Sequence, residues 1–135
     1  MNDNKLLLLD LGGRLQYGVK MYVDGTFNHG GKVRTLTDIF SDSGLGFDNN
    51  GAFYGWNSFV MKPYLRPMSS MKKEELKEFT KFTSLSMHRF ICDATNTDHW
   101  YNTYEEEDWL NAHHFDYRRL IEKGLAIEAP EGMYN

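Results

Sequence analysis

The chain has 135 residues, a formal net charge of −4 and 15% aromatic residues. Surface scaling at this length gives one domain that buries about two-thirds of its unfolded surface, and the negative charge argues against general nucleic-acid binding. The single cysteine, Cys92, excludes an internal disulfide, and the longest apolar run, residues 6–9, is far shorter than the ~20 residues of a membrane span. We therefore expect a cytoplasmic protein with no membrane partner.

The composition divides the chain near residue 67. Residues 1–67 hold ten of the twelve glycines and no glutamate, whereas residues 68–135 carry all the glutamates. Glycine and aspartate favour turns between strands, and glutamate and lysine favour helices. The sequence therefore predicts a β-rich half followed by a helical half. Because each half alone would bury too small a core, we expect residues 1–135 to form a single compact unit.

The first half opens with a helical pattern over residues 6–15, which Gly12 and Gly13 weaken. Apolar and polar residues alternate over residues 19–23 and predict a half-buried strand. Asp24-Gly25 follows and is typical of a two-residue hairpin turn. Residues 32–40 are rich in β-branched and aromatic side chains and predict a second strand.

A second turn is predicted at Asn50-Gly51, between apolar segments at residues 45–47 and 52–56. Residues 59–61 predict the last strand of this half. Gly44-x-Gly46 matches no phosphate-binding pattern, and we interpret it as a turn. So many short strands indicate a small curved antiparallel sheet or an SH3-like barrel.

The second half begins after a connector predicted at residues 62–67, which contains two prolines. Ser69 and Ser70 are candidate caps for a helix that the apolar spacing predicts over residues 71–94. Thr103 and Glu106 form the pattern of a capping box for a second helix. The acidic residues 105–108 suit a solvated first turn of that helix.

Asp116 is a candidate cap for a third helix over residues 117–123, which Gly124 would end. Residues 125–127 are expected to return to the sheet as a strand. The predicted fold class is therefore α+β, with the sheet or barrel of the first half packed against two or three helices of the second.

The histidines raise the question of a metal or acid–base site. His88 and Cys92 lie four residues apart on the predicted main helix, so both would share one face, as metal ligands must. Further histidines that could converge with them are His99, His113 and His114. No second paired ligand motif appears, and a cap at Asp116 with a core Phe115 accounts for much of residues 113–118. We predict no metal, no cofactor and no enzymatic activity, and keep a histidine-based metal-dependent or acid–base enzyme as an alternative.

Aromatic and cationic residues alternate along the predicted strands, as they do in small barrels that stack bases and follow phosphates. The set comprises Tyr17, Lys20, Tyr22, Lys32, Arg34, Phe53, Tyr54 and Trp56. The same residues would also form an ordinary core and rim. A nucleic-acid-binding barrel is therefore the other alternative.

Two segments, residues 64–66 and 113–118, combine polar and aromatic side chains at a density unusual for exposed loops. We predict that they form an interaction surface for another protein. The residues of this predicted surface are Tyr64, Arg66, His113, His114, Asp116, Tyr117 and Arg118.

Residues 62–71, 114–118, 120–126 and 128–134 resemble a signature of uncharacterised proteins from gut Bacteroides and their prophages or mobile elements. The leucine-rich start of the chain is similar too. Lys72 stands where this pattern commonly has a helix-capping threonine, and Arg119 where it commonly has glycine. The resemblance implies a bacterial cytoplasm, or a phage that uses one, and says nothing about catalytic residues. We therefore predict a non-enzymatic protein–protein interaction protein of a prophage or mobile element.

Overall fold

A computed structural model describes residues 3–25, 31–40, 43–79 and 104–134. Within these ranges the helices are α1 (Asp3–Arg14), α2 (Lys73–Phe79) and α3 (Tyr104–Ala112). The strands are β1 (Lys20–Gly25), β2 (Lys32–Phe40), β3 (Gly44–Phe47), β4 (Tyr54–Gly55), β5 (Phe59–Leu65) and β6 (Ile127–Glu128). None of the described helices has the length and apolar character needed to cross a bilayer.

The strands form one sheet in the order β4-β3-β2-β1-β5-β6. All neighbouring strands are antiparallel except β5 and β6, which are parallel. The predicted α+β class is confirmed, with five of the six strands in the first half. The SH3-like barrel is wrong, because among the described strands β4 and β6 lie at opposite edges and do not pair. Each of these edge strands has only two residues. The open sheet therefore leaves few backbone groups unpaired, although it does not close into a barrel.

The alternating pattern of β1 is confirmed, with Met21 and Val23 buried. The two-residue turn predicted at Asp24-Gly25 is wrong. Both residues continue β1, because they pair with Val60 and Phe59 of β5. Residues 26–30, which follow, lie outside the described part of the chain.

The connector predicted at residues 62–67 is largely strand, since β5 runs through Leu65. Pro63 is buried in it opposite Met21. Proline cannot donate a ladder hydrogen bond, so it rarely occurs inside a sheet. Next to Pro63, the backbones of Lys20 and Tyr64 are bridged by a side chain from the other end of the chain. The Tyr134 hydroxyl accepts the N–H of Lys20 at 2.8 Å and donates to the carbonyl of Tyr64 at 2.7 Å.

The start of α2 differs from the prediction. Ser69 and Ser70 lie in a short 3-10 turn, and the Ser70 hydroxyl donates to the Pro67 carbonyl. The helix begins at Lys73, and the Glu75 carboxylate accepts the N–H of Lys72 at 2.9 Å, as in one half of a capping box. The predicted helix over residues 71–94 is confirmed as far as Phe79, and residues 80–94 lie outside the described ranges.

A helix at α3 is confirmed, although Thr103 of the predicted capping box lies outside the described residues. The third predicted helix, over residues 117–123, is wrong, because this segment forms successive turns. Arg119 has φ +58°, a left-handed conformation that interrupts a helix. Asp116 still acts like a cap, since its carboxylate accepts the N–H groups of Leu120 and Ile121. The chain then returns as predicted to the sheet, as β6.

Two glycines that weaken the prediction of α1 lie inside it. A Cβ on Gly13 would come within 2.5 Å of Nδ2 of Asn111, whereas one on Gly12 would meet nothing within 4 Å. Gly13 therefore lets α3 pack closely on α1.

Within the part of the chain that the structure describes, the buried apolar residues form two clusters. The first joins α1 and the sheet, and also contains Leu120 and Ala126 from the second half. The second lies among the helices and contains Phe79, Trp109 and Phe115. The expectation of one compact unit stays a prediction, which coincident unfolding of both clusters would test.

Candidate interaction site

The structure brings the two segments of the predicted interaction surface together at the end of β5. The N–H of Arg66 donates to the His114 carbonyl at 2.7 Å, and the N–H of Asp116 donates to the Arg66 carbonyl at 2.8 Å. Residues 114–116 thus pair with Arg66, just beyond the end of β5, through an isolated parallel bridge.

The exposure assumed for these segments is wrong for three residues, because His114, Asp116 and Tyr117 are buried. The remaining four are half-buried, namely Tyr64, Arg66, His113 and Arg118. Of the seven predicted residues, these four are the ones whose side chains a partner could reach. Their role in binding another protein stays a prediction.

Arg66 is held in place on two sides. Its guanidinium donates to both Glu75 oxygens at 2.7 Å and lies 4.2 Å from the ring centroid of Phe115. The hydrogen bonds from Arg66 lower the pKa of Glu75. The arginine therefore ties α2 to residue 115 and the end of β5.

A buried charged cluster lies between α1 and residues 115–118. The fully buried Asp10 carboxylate accepts hydrogen bonds from Arg14 Nε at 2.7 Å and Arg118 Nη1 at 2.8 Å. Arg14 also donates to the Phe115 carbonyl at 2.6 Å. Arg118 donates to the Tyr117 hydroxyl, and burial raises the pKa of that phenol. These hydrogen bonds join α1 to a segment about a hundred residues further along the chain. We therefore assign this cluster a role in stability.

His114 lies against the C-terminal segment. Its ring stacks on Tyr134 with 3.7 Å between ring centroids. Burial lowers the pKa of His114 to about 4 and raises the pKa of Tyr134 to about 12. At neutral pH both rings are uncharged, which suits a packing contact.

The candidate metal ligands divide into two groups. His88, Cys92 and His99 lie outside the described residues. The rings of His113 and His114 stack on different partners, Trp109 and Tyr134. Among the described side chains, no group of three or more His, Cys, Asp or Glu residues is placed to hold a metal ion.

The acidic run at the start of α3 is not simply solvated. Glu106 is only 1% exposed, and Asp108 accepts a hydrogen bond from the Tyr17 hydroxyl at 2.5 Å. This contact joins α3 to the turn after α1.

The aromatic and cationic residues proposed for base stacking do not share one surface. Tyr54 packs edge-on against the rings of Phe47 and Phe59, and Trp56 also packs on the core. Arg34 lies over Tyr54 and pairs with Asp48. Tyr54, Trp56 and Arg34 therefore support the sheet itself.

A cleft of about 340 Å³ lies between residues 66–72 and 128–134. The residues that line it include the cations Arg66 and Lys72 and the carboxylates Glu128 and Glu131. Charges of both signs line it, so it selects no class of ligand by charge.

A second surface was found only in part by the sequence analysis, which placed Phe53 in the base-stacking set but did not single out Phe40. Phe40 and Phe53 are 39% and 55% exposed, and the centroids of their rings are 5.8 Å apart. Phe40 ends β2, and Phe53 directly precedes β4. We call this pair the Phe40–Phe53 platform.

The platform rests on glycines of β3 and β4. A Cβ on Gly44 would lie 2.7 Å from the Phe53 ring, and one on Gly46 would lie 2.9 Å from the Phe40 ring. A Cβ on Gly55 would lie 3.1 Å from Phe53. Gly44-x-Gly46 is therefore strand rather than turn, and its missing side chains let the rings lie on the sheet. The sequence pattern that could have indicated this surface is a pair of glycines two residues apart, shortly after a predicted strand that ends in phenylalanine.

Comparison with known proteins identifies no relative for this chain: no family model matches it, and neither does any curated protein or solved structure. Function must therefore be argued from the geometry alone.

Proposed function

We propose that this protein is a non-enzymatic module that binds another protein through the Phe40–Phe53 platform. The observation that supports the proposal is the exposure of two adjacent aromatic rings on a glycine floor. Aromatic side chains are enriched at the centres of protein interfaces and supply much of the binding energy there.

The glycine floor adds a second argument. Rings that already lie on Gly44, Gly46 and Gly55 lose little freedom when a partner covers them. Pre-organised groups bind more tightly, because less conformational entropy is lost on association. Burial of both rings would also remove apolar surface from water.

The proposal also puts this binding role in a bacterial cell, and the resemblance of the sequence to proteins of gut Bacteroides and their prophages supports that part of it. Together with the half-buried residues Tyr64, Arg66, His113 and Arg118, the platform gives the chain two surfaces for contact. The platform is the better placed of the two, since its rings are the more exposed.

The test is affinity capture of the tagged protein from a gut Bacteroides lysate, with nuclease present. The wild type is compared with the double variant F40A/F53A and with the control V33A/V60A, which removes two other exposed apolar side chains. We expect a defined protein to be retained by the wild type and the control and lost by F40A/F53A. Equal retention by F40A/F53A, with unchanged melting temperature, would contradict the proposal.

A further inference from the structure

We infer that the Phe40–Phe53 platform receives an arginine or lysine side chain from an extended segment of the partner protein. This inference rests on the proposed function and specifies the partner's chemistry.

The first argument is the position of Asp38. Its Oδ2 atom and the Phe40 ring lie 3.1 Å and 2.9 Å from the point that a Cβ on Gly46 would occupy. The carboxylate and the ring are therefore neighbours on the same face of the sheet. The Thr37 hydroxyl donates to Asp38 Oδ2 at 3.0 Å and helps to fix the carboxylate.

The second argument is the chemistry of this arrangement. A cation over an aromatic face is attracted by the ring quadrupole, and a carboxylate beside the ring pairs with the same charge. The aliphatic stem of arginine or lysine would cover the second ring. An anionic ligand, such as a nucleic-acid phosphate or an acidic membrane, would instead be repelled by Asp38.

The third argument is the edge of the sheet. β4 is the last of the described strands on this side, and the Gly55 carbonyl at its end already accepts the N–H of Ser58 at 3.1 Å, so a partner segment would lie beside β4 without extending its ladder. A partner segment that lies along β4 in an extended conformation would place alternate side chains on the face where Phe53 covers Gly55. An extended peptide with alternating basic residues fits this geometry.

The probes are two peptides, acetyl-Val-Arg-Val-Arg-Val amide and its counterpart with glutamate in place of arginine. Binding to the full chain is followed by the amide NMR signals of Gly44, Gly46 and Gly55. We expect the arginine peptide to shift these signals in a saturable way and the glutamate peptide to leave them unchanged.

The test also compares two variants, each of which removes one negative charge from the protein. D38N should weaken binding of the arginine peptide by about fivefold or more, whereas D3N, on α1, should leave it unchanged. Equal binding of both peptides, binding of neither, or wild-type affinity in D38N would overturn the inference. In each case, loss of the lysate partner in F40A/F53A would leave the proposed function standing. Retention of that partner in F40A/F53A would reject the proposed function itself.

Discussion

Single residues show how closely the elements of this protein approach one another. Gly12 and Gly13 are neighbouring glycines of α1, but only Gly13 lies against the Asn111 side chain. The Asn111 side chain has little room to move, because its Oδ1 accepts the Tyr117 hydroxyl at 2.9 Å.

This difference gives a matched pair of substitutions. G13A should destabilise the protein by about 1–3 kcal/mol, because the added methyl group displaces Asn111. G12A should stabilise it by about 0.5–1 kcal/mol, because alanine is the better helix former at an open position. Urea unfolding measures both values, and a destabilising G12A or a neutral G13A would contradict the packing of α3 on α1.

His114 makes stability depend on pH. Its pKa is about 4 in the folded protein, below the ordinary value of about 6.5, so the unfolded chain binds the proton first as the pH falls. The stabilisation is present above pH ~6.5 and is lost progressively toward pH ~4.

We expect the wild type to lose about 2–3 kcal/mol more stability than H114N between pH 7.5 and 4.5. Asparagine suits this position, because residue 114 has φ +62°. Asp116, whose burial raises its pKa, is present in both proteins and cancels in the comparison. Parallel urea titrations at the two pH values make the measurement, and identical losses would show that His114 stays accessible to protons.

At the scale of elements, a buried charge cluster joins α1 to residues 115–118. Asp10 pairs with both Arg14 and Arg118, so removing its charge leaves two arginines without their carboxylate. The exposed pair of Arg34 and Asp48 provides the contrast, with an N–O distance of 3.1 Å.

D10N should therefore lower the free energy of unfolding by about 3–5 kcal/mol, because it leaves buried charge uncompensated. D48N should cost no more than about 1 kcal/mol, as is usual for solvent-exposed ion pairs. Both are measured by urea unfolding at neutral pH. Similar costs for the two variants would mean that Asp10 is solvated.

The elements also show what the sequence could predict. Strands with clear alternation, such as β1, and the helix at α3 follow from local pattern. The turns at residues 117–123 do not, because Arg119 adopts a left-handed conformation that its residue type disfavours. Pro63 similarly concealed a strand, since the Tyr134 hydroxyl that serves the adjacent ladder position comes from the other end of the chain.

At the scale of the whole molecule, some residues predicted at the surface are buried, and glycines predicted in a turn lie in a strand beneath exposed rings. Asp116 and Tyr117, predicted as surface groups, are buried and hold the chain together. Gly44 and Gly46, predicted as a turn, underlie the exposed aromatic pair of Phe40 and Phe53. Sequence pattern could not show either result, because each depends on contacts between distant strands and segments.

The most direct test of the platform's role is photo-cross-linking at its centre. The protein carries p-benzoylphenylalanine in place of Phe53 or, as a control, in place of Val60, which is 48% exposed on β5. Each form is irradiated in a gut Bacteroides lysate after nuclease treatment. We predict a defined protein adduct from position 53 and none from position 60. Adducts from position 60 alone, or no protein adduct at position 53, would contradict the proposal that the Phe40–Phe53 platform binds a protein partner.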